Sequence, residues 1–227
     1  MSDWYLLQSG PGAAVFNMAL DEVLLDAMPR IGQPVLRFYS WTERAASFGY
    51  FQKYADVERL TLLRPLVRRP TAGGLVPHDA DWTYSLVFPA AHHWHRLKAL
   101  ESYRRVHEWV CAAFARLGVE TEVAACSRSA APGQCFAGHG QYDLLWQGQK
   151  IVGAAQRRTH LGLLIQGSVQ PPPLSLAKAD WQKAMCDVAH LSFAALWAEF
   201  EPGTELREWA EELAQDKYSR TAYNQKR

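Results

Sequence analysis

Along the chain the spacing of apolar residues changes period several times, and each change predicts an element. Residues 4–7 form a short apolar run closed by Ser9-Gly10-Pro11-Gly12, which predicts an edge strand leaving through a turn. From residue 13 to 27, Phe16, Ala19, Leu20, Val23, Leu24 and Ala27 recur at three and four until Pro29 ends the pattern, which predicts a helix with one inward face. Residues 34–39 and 45–51 predict two strands around a polar turn, and 56–62 a short helix. Residues 66–69, a turn at 70–74 and the run 82–88 predict strand, loop and strand, with Trp82, Tyr84, Leu86 and Phe88 alternating onto one side. The longest helix is predicted over 96–117, where Leu100, Tyr103, Val106, Val110, Phe114 and Leu117 keep a helical beat and Gly118 stands at the C-cap. A strand at 119–125, a small-residue loop at 126–133, a hairpin of 142–146 with 150–156 around Gln147-Gly148-Gln149, and a strand at 161–169 follow. After Pro171-Pro172-Pro173, helices are predicted over 177–188, 191–200 and 205–219. Strands first and helices last give an α+β class: one domain over 1–227, with a sheet-rich core at 1–170 and a helical C-terminal segment at 171–227.

Composition narrows the function classes. The 227 residues are 48% hydrophobic and 21% charged, with a net charge of +1, so the chain can bury a core and is not built to coat a polyanion; no nucleic-acid partner is expected. No stretch approaches the roughly 20 continuous apolar residues of a membrane span, and the first residues lack the basic and apolar regions of a signal peptide. The expected setting is the cytoplasm, with no membrane contact. Four cysteines (Cys111, Cys126, Cys135, Cys186) form no CxxC pair and are too few for a disulfide framework. Cys111 and Cys186, on helical faces, are expected in the core. Nine tryptophans indicate a core or an apolar pocket.

Two segments carry candidate chemistry. Arg68-Arg69-Pro70-Thr71-Ala72-Gly73-Gly74 combines a fixed φ, two glycines and two guanidinium groups, and can set backbone N–H groups and positive charge against an anionic or carbonyl-bearing ligand. The same spacing is that of a hairpin turn with exposed arginines, and it is neither a P-loop nor a Rossmann fingerprint. His78-Asp79 is either a functional pair or polar residues at a strand start. Cys135 lies in Gly133-Gln134-Cys135-Phe136-Ala137-Gly138, where flanking glycines leave a thiol reachable, and Lys150 across the hairpin is the obvious source of positive charge for a thiolate. A buried small hydrophobe and an exposed hairpin lysine are the plain alternatives. In Lys150-Ile151-Val152-Gly153-Ala154-Ala155-Gln156 the small residues leave room for a ligand against the backbone. His92-His93-x-His95 has no carboxylate or cysteine partner nearby and reads as a surface linker rather than a metal site, and His107-Glu108 lacks the second histidine of a zinc motif. No metal site is expected.

In order, these residues resemble the biotin/lipoate protein ligase superfamily, and within it the lipoate-protein ligase A and cysteine-dependent octanoyl (lipoyl) transferase branch. The resemblance rests on 16–22 (Phe-Asn-Met-Ala-Leu-Asp-Glu), 48–52 (Phe-Gly-Tyr-Phe-Gln), the 68–74 loop with Val76 and His78-Asp79, and Thr83-Tyr84-Ser85. It continues through Cys135-Phe136, Tyr142-Asp143-Leu144, Gly148, Lys150-Ile151, Gly153, Ala155-Gln156-Arg157-Arg158, Gln166-Gly167-Ser168 and Tyr223-Asn224-x-Lys226-Arg227. It implies a mixed β-sheet flanked by helices, like the catalytic core of class II aminoacyl-tRNA synthetases, with the acyl chain in an apolar tunnel.

Two chemistries share such a fold. A ligase joins free lipoate to a carrier lysine through an acyl-adenylate and needs ATP and Mg²⁺. A transferase moves octanoyl or lipoyl from a carrier thioester through a cysteine acyl-enzyme and needs neither. The Cys135-Phe136 motif matches the nucleophile position of the cysteine-dependent transferases, so the resemblance implies Cys135 as nucleophile and Lys150 as the residue that lowers its pKa. Arg68, Arg69, Thr71, Gly73, Gly74, His78, Tyr84, Gly153, Ala154, Ala155, Gln156 and Gly167 are expected to bind substrate, and aromatic residues to wall the tunnel. The implied donor is octanoyl-acyl carrier protein or a lipoylated carrier, and the implied acceptor is a lipoyl domain or a glycine-cleavage H-type protein. An ATP-dependent ligase and a noncatalytic acyl-binding relative are the alternatives. Ala72 in place of a more usual glycine and the step Leu75-Val76-Pro77 predict a stiffer or differently aimed loop.

Overall fold

The computed structural model of the chain describes residues 2–128 and 138–226. The chain runs through β1 (Ser2–Gly12), α1 (Ala14–Asp26), α2 (Met28–Ile31), β2 (Val35–Trp41), β3 (Ala45–Phe48), α3 (Tyr54–Glu58), β4 (Leu66–Arg68), β5 (Val76–His78) and β6 (Trp82–Pro89). It continues as α4 (His93–Arg96), α5 (Ala99–Arg116), β7 (Glu122–Val123), β8 (Leu144–Trp146), β9 (Gln149–Arg158) and β10 (Gly162–Val169). The last part holds α6 (Lys178–Phe193), β11 (Ala195–Glu199), α7 (Thr204–Leu213), a π-helical turn at Ala214–Tyr218 and α8 (Thr221–Asn224).

Eight strands form a mixed sheet in the order β11-β1-β2-β6-β10-β9-β8-β7, and β4-β3-β5 form a second, three-stranded sheet. Strand alternation sends side chains to two different cores. On one face Phe38, Tyr84, Leu86, Ile165 and Val152 pack against Trp109 and Val110 of α5 and Trp181 and Met185 of α6. On the other, Val35, Val87 and Leu164 are aligned across three strands and meet Leu20, Val23 and Leu24 of α1 and Ala210 of α7. Those contacts explain why the 13–27 pattern folds as a helix. The expected mixed sheet flanked by helices is the observed architecture.

Several expectations are corrected. Residues 191–200 do not form a helix of their own: 191–193 finish α6, which ends where Ala194 takes a left-handed conformation (φ 52°), and β11 then pairs in parallel with β1. The C-terminal segment is therefore not purely helical, and β1 is an interior strand rather than an edge. The predicted turn at 9–12 is absorbed into β1 as a bulge, with Gly10 at φ 65° and a register shift between Gln8 and Gly10. The predicted strand, loop and strand of 66–88 belong to two sheets, because β5 intervenes and pairs with β3. His92 is not in a plain linker; its ring stacks on Phe88 (5.1 Å) and α4 follows it. Burial holds the His92 imidazole down at about 4, with neighbouring His93 adding to the effect. Cys111 and Cys186 do pack against the α5/α6 core, and burial pushes the Cys186 thiol up to about 12.

Candidate active site

One row of cross-strand neighbours organises the site. Tyr39 of β2 faces Thr83 of β6, Thr83 faces Ser168 of β10, and Ser168 faces Gly153 of β9. The next row on the same face contains Arg37, Ser85, Gln166 and Ala155. Between this face and the small sheet lies a cavity of about 470 Å³, counting the part open to solvent. Met18, Tyr39, Ser47, Arg69, Gly73, Val76, His78, Thr83, Lys150, Gly153, Ala154, Ala155, Gln166, Gly167 and Ser168 line it.

Lys150 reaches this face through a bulge. Leu144 is opposite Val152 while Leu145 is opposite Lys150, so Ile151 is an extra residue in β9. Ile151 and Val152 both enter the α5-side core, and Lys150 is thrown to the cavity face beside Gly153. A Cβ on Gly153 would stand 2.7 Å from Lys150 Cε and 2.8 Å from Nζ, so the glycine provides the trough in which the lysine lies. Lys150 Nζ is 2.7 Å from Asp143 Oδ2. Asp143 also accepts from the backbone N–H of Gly140 (2.7 Å) and from the Tyr103 hydroxyl, in a short hydrogen bond. Just below, His107 donates from Nδ1 to Tyr103 O (2.9 Å). Burial pushes the His107 imidazole down to about 4, and its Nε2 is without a partner among the described residues.

The roof is the 68–74 loop. Gly73 has φ 93°, and its carbonyl oxygen lies so close to Gly49 that a Cβ there would stand 1.9 Å from it. Arg69 donates to Ala72 O from Nη2 (2.7 Å) and Nε (3.1 Å) and to Ser47 O from Nη1 (3.2 Å), so it both clasps the loop and lines the cavity.

On the side wall, His78 stacks on Trp41 with ring centroids 3.8 Å apart. Asp81 Oδ2 accepts from the Thr83 (3.0 Å) and Ser168 (2.7 Å) hydroxyls. His78 Nδ1–H donates to the same oxygen at 2.9 Å, a tautomer assigned from the network, which leaves Nε2 to accept from Ser47 Oγ–H at 2.8 Å. Nominally polar lining residues thus spend their polar atoms on one another and offer carbon surface to the cavity. Asp21 of α1 holds the floor in the same way, bonding Arg37 (2.7 Å), Tyr39 (3.1 Å), Ser85 (2.7 Å) and Gln166 (2.8 Å).

Of the expected site residues, Arg69, Gly73, His78, Lys150, Gly153, Ala154, Ala155 and Gly167 border this one cavity. Five others do not. Arg68 is fully buried and spends its guanidinium on the carbonyls of Tyr50 (2.7 Å), Gln52 (2.7 Å), Tyr223 (3.3 Å) and Asn224 (2.8 Å), a structural role. Thr71 donates to Gln166 Oε1 (2.7 Å) and anchors the loop to β10, and Gly74 is outside the lining set. Tyr84 and Gln156 fall on the opposite face by strand alternation: Tyr84 packs in the α5/α6 core, and Gln156 bonds Ala99 O (2.7 Å) and Ser102 (3.0 Å) of α5. Seven of the nine tryptophans also pack in or against that core, and none lines the cavity, so the expected aromatic tunnel wall is reduced to Tyr39 among the described residues. His78 pairs with Asp81; Asp79 is bonded at the surface to Arg44. Cys135 and Phe136 lie outside the described residues. On either side of them, Arg128 and His139 are joined by a two-hydrogen-bond bridge one residue before Gly140, the donor to Asp143. Ser47, Asp81 and Tyr103 are not among the site residues expected from sequence; alternation puts Thr83 on the face opposite Tyr84, but only strand register sets it beside Ser168, and Asp81 and Tyr103 come from a loop and a distant helix.

The sheet, its flanking helices and the cavity define a domain of the lipoyl ligase catalytic type. Residues 13–170 match the lipoyl protein ligase A/B catalytic domain, and the chain belongs to that family. It is 37% identical over 182 residues to octanoyltransferase LipM of Kyrpidia tusciae, covering 74% of this chain and 66% of that protein. With octanoyltransferase LipM of Carboxydothermus hydrogenoformans the identity is 35% over 177 residues, covering 74% of this chain and 65% of that protein. The match therefore spans just under two thirds of these relatives' length. Among solved structures, a lipoate-protein ligase A bound with ATP superposes with a TM-score of 0.78 at 20% identity, covering 99% of this chain and 98% of that one. A bi-partite lipoate protein ligase from Thermoplasma acidophilum gives 0.75 at 20% identity, covering 99% and 97%. These two establish the fold.

Proposed function

We propose that the protein is an octanoyltransferase of lipoate metabolism. Cys135 as thiolate attacks the carbonyl of an octanoyl thioester, the carrier's thiol leaves, and a Cys135 acyl-enzyme forms. The amine of a lipoyl-domain lysine then attacks that carbonyl, the amide forms and Cys135 is released as thiolate. Lys150 supplies positive charge for the thiolate, and Asp143 and the Gly153 trough fix where that charge sits. Octanoyl-acyl carrier protein is the proposed donor, a lipoyl domain or H-type protein the acceptor, and the cytoplasm the setting; no helix of the described residues is long and apolar enough to cross a membrane. The reaction uses no ATP and no metal.

The observation that carries this reading is the buried Lys150–Asp143 pair on the cavity wall, in a chain 31–37% identical to several LipM octanoyltransferases. Those relatives favour the transferase over the ATP-dependent ligase. The test is transfer to an unmodified lipoyl domain, followed by that domain's mass. Octanoylation from octanoyl-acyl carrier protein without ATP is expected; octanoylation only from free acid with ATP would establish the ligase instead.

A further inference from the structure

We propose that the cavity gauges acyl length by laying the chain across the strands, and that Tyr39 is the stop that sets the limit near eight carbons. This rests on the acyl-transfer reading and adds the orientation of the chain and the residue that chooses its length.

All four members of one cross-strand row, Gly153, Ser168, Thr83 and Tyr39, line the void. Along the strands the sheet lining spans no more than Gly153–Ala155 and Gln166–Ser168 besides Lys150, while across them it runs from β9 to β2, so the acyl chain is laid across the strands. Exposure falls along that row: Gly153 is partly exposed, whereas Ser168, Thr83 and Tyr39 are 5%, 3% and 2% exposed. The mouth is thus at β9, beside Lys150, and the blind end is at β2.

Tyr39 is well suited to close that end. Its hydroxyl is bonded to Asp21 (3.1 Å), the Arg37 guanidinium sits 4.1 Å from its ring centroid, and it packs among Ala14, Met18 and Ala19 of α1. A ring held in this way does not swing aside to admit extra methylenes. From β9 to β2 is three strand spacings of about 4.8 Å, or about 14 Å. Van der Waals contact at each end takes about half of a 3.5–4.0 Å carbon–carbon separation from that, leaving roughly 10 Å. An extended acyl chain advances roughly 1.3 Å per carbon, from carbon–carbon bonds of about 1.5 Å in a zigzag. About eight carbons therefore fit. The side wall tolerates them because the His78, Ser47, Thr83 and Ser168 polar groups are already bonded to each other or to Asp81.

The experiment compares hexanoyl, octanoyl, decanoyl and dodecanoyl carrier thioesters in single-turnover transfer, alongside binding of the corresponding free fatty acids measured by calorimetry. The full chain is used for wild type, Tyr39→Leu and Thr83→Ile. Wild type is expected to peak at octanoyl in both readouts. Tyr39→Leu should raise the decanoyl-to-octanoyl ratio by about tenfold, the scale of two methylenes gaining burial. Thr83→Ile, which thickens the row one strand before the stop, should move the optimum toward hexanoyl, so a poorly folding Tyr39→Leu still leaves a test. Transfer with an unchanged length profile in every folded variant would overturn the gauge while sparing the transferase. Fatty-acid binding that tracks the gauge without transfer would overturn the transferase alone, and no binding or transfer of any chain would overturn both.

Discussion

Lys150 Nζ lies 2.7 Å from Asp143 Oδ2, with the two side chains only 7% and 2% exposed. A buried ion pair of this kind is costly to break from one side, by about 3–5 kcal/mol, because the remaining charge is stranded. Lys150→Met is therefore expected to destabilise the fold by that order and to slow acyl transfer at least a hundredfold. Gly153→Ala separates the two effects: it keeps both charges but places a methyl in the lysine's trough. Its transfer rate should fall at least tenfold with stability lowered by no more than about 1–3 kcal/mol, the usual cost of overpacking. Urea unfolding and single-turnover rates check both variants, and a Gly153→Ala enzyme as fast as wild type would contradict the placement of Lys150.

Arg68 and Arg69 are adjacent and do different work. Arg68 holds four backbone carbonyls, two of them in the C-terminal segment, and Asn224 Oδ1 accepts from the Arg68 N–H at 2.8 Å. Arg68→Ala should cost several kcal/mol by leaving buried carbonyls unpaired, and Arg68→Lys should recover only part of it, since an ammonium cannot span the same acceptors. Thermal unfolding measures this. A substrate-binding role for Arg68 would instead raise KM and leave the melting temperature in place.

The division between these two arginines marks the limit of what the sequence discloses. The 68–74 motif is legible because its glycines and proline restrict the backbone, but which arginine faces the cavity is decided by Tyr223 and Asn224 at the far end of the chain. Lys150 shows the same limit. Counting by two along β9 puts it on the face of Val152; only the pairing with β8 reveals the bulge that turns it over. Residues 195–199 have the composition of a helix and become β11 because β1 supplies a parallel partner. Elements with a sustained period of their own, such as α1, α5, β6 and β10, and the β8–β9 hairpin around its short turn, are read correctly within a few residues, as is the family to which the motifs belong.

His107 gives the fold a pH dependence. Burial keeps its imidazole neutral, with a folded-state pKa of about 4 against about 6.5 for an exposed histidine. As pH falls below about 6.5 the unfolded chain takes up a proton that the folded chain refuses, so this contribution is fully present above that value and declines until about pH 4. The loss should approach about 3 kcal/mol. Denaturant midpoints measured between pH 7 and 4 should fall accordingly, and His107→Gln should flatten that part of the curve; an unchanged slope in the variant would assign the acid sensitivity to other groups.

The proposed reaction turns on a covalent octanoyl intermediate on Cys135. Its most direct test is the intact mass of the protein after brief exposure to octanoyl-acyl carrier protein without ATP, repeated with Cys135→Ala and after neutral hydroxylamine. One octanoyl adduct is expected on the wild-type chain, absent from Cys135→Ala and removed by hydroxylamine. No adduct on the wild-type chain between about pH 7 and 9, where a cysteine thiolate is accessible, or an adduct that persists in Cys135→Ala, would contradict it.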